Sequence, residues 1–379
     1  MFDLVVVGGG VVGAAAAYRS VGHGARTLLV DLHHEGRATD AGAGIVSPET
    51  EIRDGSPRQA MVDATPAFYA ELIDSLARDG EHDTGYARCG KLVIARDERE
   101  AKMLEAYLGL LLDPARPGPV PEPGTIAEIT PAEAHALFPV LGPVVSAFVS
   151  RNAARVDGRR LTAALLRAAE ARGLERESFA VDALKLDGDR VTGVAGDDRA
   201  PIEARAVVVA GGAWTSSFGE RIGVQLPVVP ERGQIAHLRL EGVDTAAWPV
   251  LSPLHDHYMV AWPGGRVVCG ATHDDAGFDA RVTFEGMREI IDRALSVAPG
   301  LADATLLEVR VGLRPVSTTG LPLLGPIPGR PGAFVATGHG ASGLTFGPWG
   351  ASAVVDRALD AEVPAVDLQP FAPPVTATR

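Results

Sequence analysis

Leu4-Val5-Val6-Val7-Gly8-Gly9-Gly10-Val11-Val12-Gly13 opens the chain and decides its fold. Residues 4–7 are apolar and β-branched, as a buried parallel strand requires. Gly8, Gly10 and Gly13 stand at G-x-G-x-x-G spacing. Small and apolar residues at helical spacing follow from Val11, until Gly22 and Gly24 end the helix. A second apolar run, Thr27–Val30, is a strand ending at Asp31, about 20 residues beyond the turn. Strand, glycine turn, helix, strand and acid make a dinucleotide fingerprint. The glycines let the backbone approach a pyrophosphate, the helix N-terminus holds its charge, and the acid accepts from ribose hydroxyls. An acid there disfavours a 2′-phosphate and hence NADP. The fingerprint alone leaves NAD and FAD open.

The 379 residues suggest two domains, at roughly 150 residues each. A 46% hydrophobic and 22% charged composition is that of an ordered soluble enzyme. The net charge of -13 argues against a nucleic-acid partner. Two cysteines, Cys89 and Cys269, exclude a disulfide framework and a cysteine-rich metal site. No secretory pattern opens the chain, and its first apolar stretch is too short and glycine-broken to span a bilayer. A cytoplasmic location is therefore expected. Nothing in the sequence fixes the oligomeric state.

Further along, Ser56-Pro57 reads as a capped helix start, Thr130-Pro131-Ala132-Glu133 as a capping box, and Asp157 as the cap of a long helix. Residues 207–209 form a strand running into Ala210-Gly211-Gly212. After Pro227 the pattern becomes antiparallel strands at 234–240, 258–262 and 266–270, then a helix at 283–297. A strand at 333–336, a turn and a helix to about 359 close the chain. Nucleotide-type elements thus occur at the start, middle and end. The expected fold is α/β, a Rossmann-like nucleotide-binding domain interleaved with an α+β substrate domain on a largely antiparallel sheet. Residues 1–85, 147–226 and 325–379 are assigned to the first domain, and 86–146 and 227–324 to the second.

Four further motifs appear in order: Thr39-Asp40-Ala41-Gly42-Ala43-Gly44-Ile45-Val46, Ala210-Gly211-Gly212-Ala213-Trp214, Arg232-Gly233-Gln234, and Gly312-Leu313-Arg314-Pro315 followed by Gly320-Leu321-Pro322-Leu323-Leu324-Gly325-Pro326. Gly338-His339-Gly340-Ala341-Ser342-Gly343 closes the series. Together they resemble the D-amino-acid oxidase-like flavoprotein family, which includes glycine oxidase, sarcosine oxidase and bacterial D-amino-acid dehydrogenases. The resemblance covers almost the whole chain and implies FAD.

It also implies site residues. Gly8, Gly10, Val11, Val12 and Gly13 would cradle the pyrophosphate, and Asp31 would bind the ribose. Thr39, Asp40, Gly44, Ile45 and Val46 would line the pyrophosphate and isoalloxazine, Val181 would meet the adenine, and Gly211 belongs to the middle turn. His339, Gly340, Ala341, Ser342, Gly343, Leu344 and Thr345 would form the loop at the flavin N1/O2 edge, where a helix N-terminus suits developing negative charge. Arg314 would anchor the substrate α-carboxylate through its guanidinium fork. Tyr258 would assist it, and His257 would lie near cofactor or substrate. Arg314, Tyr258 and His339 are the candidate catalytic residues. Two departures stand out. Ala341 replaces a second loop arginine of glycine oxidase-like members. Val316-Ser317-Thr318-Thr319 lacks the flavin-bonded cysteine of sarcosine oxidase-like members, so the FAD is expected to be non-covalent.

The reading is an FAD-dependent amino acid or amine oxidoreductase, with hydride transfer from a C–N carbon and O2 or another electron acceptor. Oxidation of a 2-hydroxy acid or cyclic secondary amine, and a flavin-bearing subunit of a larger electron-transfer complex, are the alternatives. His255, Asp256 and His257 form a short polar cluster in which residues at i and i+2 share one face, but no third ligand for that face is evident, so no metal is expected. Thr272-His273-Asp274-Asp275 reads as a solvated loop.

Overall fold

The computed structural model describes residues 1–196, 199–254, 257–361 and 367–374. Strand β1 (Phe2–Val7) lies between β2 (Thr27–Val30) and Ile202–Val209, parallel to both. Glu175–Glu177 extends the sheet beyond β2, and Ala333–Thr337 lies parallel to Ile202–Val209 on the other side. Leu323–Pro326 then joins antiparallel. Leu4, Val5, Val6, Val208 and Val335 have no exposed surface, which is why these strands read as unbroken apolar runs.

Helix α1 (Val11–Gly22) follows the glycine turn. Its run Ala14-Ala15-Ala16-Ala17 is buried, and such small side chains let it pack closely on helices Gly158–Ala171 and Gly343–Ala358. The last helix is tied back by charge. Asp356, 3% exposed, accepts from Arg19 Nε at 2.7 Å and Nη2 at 2.9 Å, and lies 2.7 Å from His23 Nε2.

The second sheet has eight strands, ordered Thr305–Ser317, Val228–Arg239, Arg266–Gly270, Tyr258–Trp262, Val250–Pro253, Lys91–Ala95, Ser146–Ser150 and Ile126–Ile129. Its pairs are antiparallel except Val250–Pro253 with Lys91–Ala95. An interleaved two-domain division would therefore cut after Ser150 and before Leu323, leaving those strands whole. The two sheets meet where Leu313 donates its amide to the Gly36 carbonyl at 2.8 Å. A Cβ on Gly312 would lie 3.0 Å from the Ala41 methyl, so the approach is close.

Caps follow the sequence at two helices, and Thr283 caps a third. Thr130 and Glu133 form the capping box, Asp157 accepts from the Arg159 and Arg160 amides at 3.0 and 3.2 Å, and Thr283 accepts from the Gly286 amide at 3.2 Å. Ser56 does not cap. Its hydroxyl bonds Asp54 instead, and helix Arg58–Arg78 starts without a side-chain cap. Among the described residues no helix is long and apolar enough to cross a membrane.

Gly13 is the tightest point of the first turn, since a Cβ there would lie 1.8 Å from the Gly8 carbonyl oxygen. Gly13→Val should destabilise the protein by about 1–3 kcal/mol through overpacking. Thermal unfolding would check this, and the variant should melt at a lower temperature.

Candidate functional site

A cavity of about 610 Å³ opens where the parallel strands end. Val7, Val30, Val209 and Thr337, each the last residue of its strand, all contribute. Ligands of open α/β sheets bind at this edge. Thr305–Ser317 and Val228–Arg239 supply the opposite wall through Gly312, Leu313, Arg314, Gly233 and Ile235.

At the glycine-turn end, Gly8 has φ +108°, and a Cβ on it would lie 2.4 Å from the Ala210 oxygen. The Gly9 amide donates to Asp31 Oδ1 at 3.0 Å. Arg37 pairs with the other Asp31 oxygen and donates from Nη1 to the Gly9 carbonyl at 3.1 Å. Thr39 Oγ1 accepts from the Val11 amide at 3.1 Å, while Gly10 gives α1 no side-chain cap. The first turn of α1 therefore faces the cavity with amides to spare. Helix Gly343–Ala358 also starts without a side-chain cap, beside Gly44 and Ile45. Thr345 Oγ1 holds it there by donating to the Ile45 carbonyl at 3.0 Å.

At the far end, Arg314 Nη1 donates to Glu231 Oε1 at 2.8 Å and to the Thr272 carbonyl at 3.0 Å. A Cβ on Gly233 would lie 2.5 Å from Arg314 Nη2, so the glycine makes room for the guanidinium. The Tyr258 hydroxyl also bonds Arg314. Burial pushes that phenol up to about 12, against the pull of the nearby cation, so it stays protonated at neutral pH. His273 completes this end, with Nδ1 2.9 Å from Glu231 Oε1.

Of the expected site residues, Gly8, Gly10, Val11, Val12, Asp31, Thr39, Gly44, Ile45, Val181, Gly211, Tyr258, Arg314, His339, Gly340, Ala341, Gly343 and Leu344 line the cavity. Gly13, Asp40, Val46, His257, Ser342 and Thr345 do not. Gly13 packs helix on turn, and Val46 is in the core. Asp40 lines an adjoining groove with Arg159, which shares Gly9, Asp31 and Arg37 with the cavity. Ser342 takes a hydrogen bond from Arg58 at 3.1 Å. His257 is buried away from the cavity with both ring nitrogens unpartnered among the described residues. His255 and Asp256 beside it lie outside the described residues.

His339 lines the cavity, but its ring nitrogens turn away from the open space. Both ring nitrogens are buried, and Nε2 would be 3.1 Å from a Cβ on Gly350 in the last helix. A nitrogen facing an open cavity would be exposed. The residue contributes its loop backbone instead.

The motifs overlooked Arg37 and Glu231, gave His273 no role, and did not signal the stack of His34 on Trp214 at 4.6 Å. Arg37 carries no spacing rule relative to Asp31. The 272–275 segment is a loop with His273 and Asp275 exposed, but Asp274 is held by Arg232, Gln234 and Thr272, which brings His273 to the cavity.

The donor set fits FAD. Glycines at positions 8–10 leave a cradle that side chains would fill, two helix N-termini face one cavity, and the lining between them is apolar. Neither Cys89 nor Cys269 reaches the lining, so no thiol is placed to bond the flavin.

Comparisons with known proteins agree. A family model described as DAO, FAD dependent oxidoreductase, matches residues 3–357. An uncharacterized oxidoreductase of Bacillus subtilis (strain 168) is 38% identical, with 98% of this chain and 99% of that protein covered. Glycine oxidase of Pseudomonas aeruginosa is 32% identical, with 98% of each covered. The crystal structure of iminodiacetate oxidase from Chelativorans sp. BNC1 superposes with TM-score 0.91, at 38% identity over 98% of each chain. That of glycine oxidase from Geobacillus kaustophilus gives 0.86 at 27% identity, covering 100% of this chain and 99% of the other.

His237, His257 and His339 are each pushed down to about 4, first by burial and then by nearby arginines, Arg310, Arg293 and Arg58 respectively. In the unfolded chain a histidine titrates near about 6.5. The unfolded state therefore binds protons first as the pH falls. This contribution to stability is full above about pH 6.5 and is lost as the pH falls to about 4. Urea midpoints between pH 7.5 and 4.5 should fall accordingly, and the slope should flatten in His237→Gln.

Proposed function

The chain belongs to the DAO family of FAD-dependent oxidoreductases, and on that premise we propose that it oxidises the C–N bond of a small amino acid. Glycine, a D-amino acid or an N-substituted glycine is the substrate type. The likeness to a structure described as iminodiacetate oxidase favours the N-substituted form.

Arg314 is the observation that carries this reading. Its Nη1 is tied to Glu231 and Thr272, which fixes the plane of the guanidinium and leaves the rest of the fork for a carboxylate. Tyr258 lies beside it as a protonated donor. A carboxylate held there places the neighbouring α-carbon within the cavity rather than in solvent. With Ala341 in the closing loop, a single arginine does the anchoring.

Bound FAD supplies the acceptor for the two electrons. Asp31 and the free amides of α1 would hold its ribose and pyrophosphate. The first turn of Gly343–Ala358 would face the flavin edge that gains charge on reduction. The substrate nitrogen must be neutral for its lone pair to form the C=N bond as the α-hydrogen leaves with its electron pair. Water then cleaves the imine to a 2-oxo acid and an amine or ammonia. Ile235, Leu313 and Pro315 keep the walls beside Arg314 apolar.

An anaerobic screen tests the proposal. Purified protein is mixed with D-amino acids, L-amino acids, glycine, N-methylglycine, iminodiacetate and 2-hydroxy acids while the flavin band is read. An amino acid should bleach it, faster as the pH rises through the range in which the bound amine loses its proton. Readmitted air then tells oxidase from dehydrogenase. Bleaching by 2-hydroxy acids alone would overturn the proposal. Arg314→Ala should lower kcat/KM by about 100-fold or more through loss of a charge-assisted pair, with flavin content unchanged. Loss of flavin with unchanged substrate preference would make Arg314 structural.

A further inference from the structure

The same cavity end carries an acid that the carboxylate anchor alone does not require. Strands Val228–Arg239 and Thr305–Ser317 pair Glu231 with Arg314 and Gly233 with Gly312. Side chains alternate along a strand, so Glu231 shares a face with Gly233 and Ile235, which both line the cavity. Glu231 Oε1 takes Arg314 Nη1 at 2.8 Å and lies 2.9 Å from His273 Nδ1. Both of those partners line the cavity. Its Oε2 has no partner among the described residues, and the side chain is 31% exposed. Glu231 does not itself line the cavity, but it is held against two residues that do, so an anion stands directly beside the cation of this wall.

That arrangement matches an α-amino acid, whose nitrogen and carboxylate branch from one carbon. We propose that Glu231 recognises the substrate nitrogen through its free oxygen, and so selects amino acids over 2-hydroxy acids. The inference rests on the amino acid reading above and narrows it. Arg314 takes the carboxylate. Glu231 takes the arriving ammonium, whose N–H donors carry a full charge, whereas the hydroxyl of a 2-hydroxy acid offers a neutral donor. A hydrogen bond to a charged group is worth about tenfold to 100-fold in affinity. His273 and the Arg314 Nη1 hold Oε1, which leaves Oε2 as the recognising atom. Glu231 also offsets the charge of Arg314, so a ligand with a carboxylate and no amine meets a less attractive site.

The test uses the FAD-loaded protein and three inert ligands without an α-hydrogen: 2-methylalanine, 2-hydroxy-2-methylpropanoate and 2,2-dimethylpropanoate. Each is titrated against the shift of the flavin band. The wild type should bind the amino acid at least about tenfold more tightly than the hydroxy acid. Glu231→Gln should bring that ratio to within about threefold, while 2,2-dimethylpropanoate binds as well as before or more tightly. Glu231→Asp should keep an intermediate preference. A structural role would instead weaken all three ligands together, which would overturn the inference. So would an unchanged ratio in a Glu231→Gln protein that retains its flavin. A wild-type ratio near one overturns it whatever the variants do. If no ligand shifts the wild-type band and Arg314→Ala changes nothing, the carboxylate site itself is refuted, and this inference falls with it.

Discussion

The Leu313 amide on the Gly36 carbonyl, at 2.8 Å, joins the antiparallel sheet to the nucleotide-binding unit. The cavity spans this junction, with Asp31 on one side and Arg314 on the other. The side chains around it are small because they must be. Gly36, Ala38, Ala41 and Gly312 allow strand and turn to touch, and a Cβ on Gly36 would already lie 2.9 Å from Ala280. A second contact, the bridge between Val316 and His339, repeats the attachment beside the closing loop. Two fixed points make a hinge unfavourable, so the separation between the Asp31 end and the Arg314 end is set by backbone rather than by flexible side chains.

The charges follow the same economy. Arg314 occupies the volume that a side chain at 233 would fill, so its seat is made by an absence. Its position depends on neighbours from separate strands and a loop: Glu231, Tyr258 and the Thr272 carbonyl. An arginine anchored at one nitrogen loses little entropy when a ligand takes the others. The 272–275 loop owes its place to Arg232, which reaches Asp274 and Asp279 with a guanidinium that is itself buried. The Arg-Gly-Gln step thus supplies two things one residue apart, a clamp for the loop and a gap for Arg314.

The backbone of this fold was legible because glycine spacing and apolar periodicity are local signals. The fingerprint placed β1, α1, β2 and Asp31, and the change of pattern after Pro227 placed the antiparallel sheet. Arg314 was legible because its motif carries a charge between Gly312 and Pro315. What stayed hidden was orientation. His339 and His257 stand in the right segments, but a ring can turn to either side of a loop, and core packing took both. Glu231 and His273 were invisible for a related reason: they meet Arg314 only through strand register and a loop fold, neither of which leaves a mark at fixed spacing. Ser56 shows the same competition at small scale, since a neighbouring Asp54 claimed the hydroxyl that would have capped a helix.

The order of elements in the parallel sheet has a consequence for synthesis. Ala333–Thr337 and helix Gly343–Ala358 complete the cavity, and Asp356 clamps that helix to Arg19 near the opposite end of the chain. While the ribosome is still adding these residues, the glycine turn lacks the wall that faces it. The part of α1 that the last helix covers is then bare, while Gly158–Ala171 already packs on the rest. The wall facing the glycine turn is therefore complete only once residues 333–358 have been made. Until then the apolar surface that the last helix covers is open to solvent, the condition in which aggregation competes with folding.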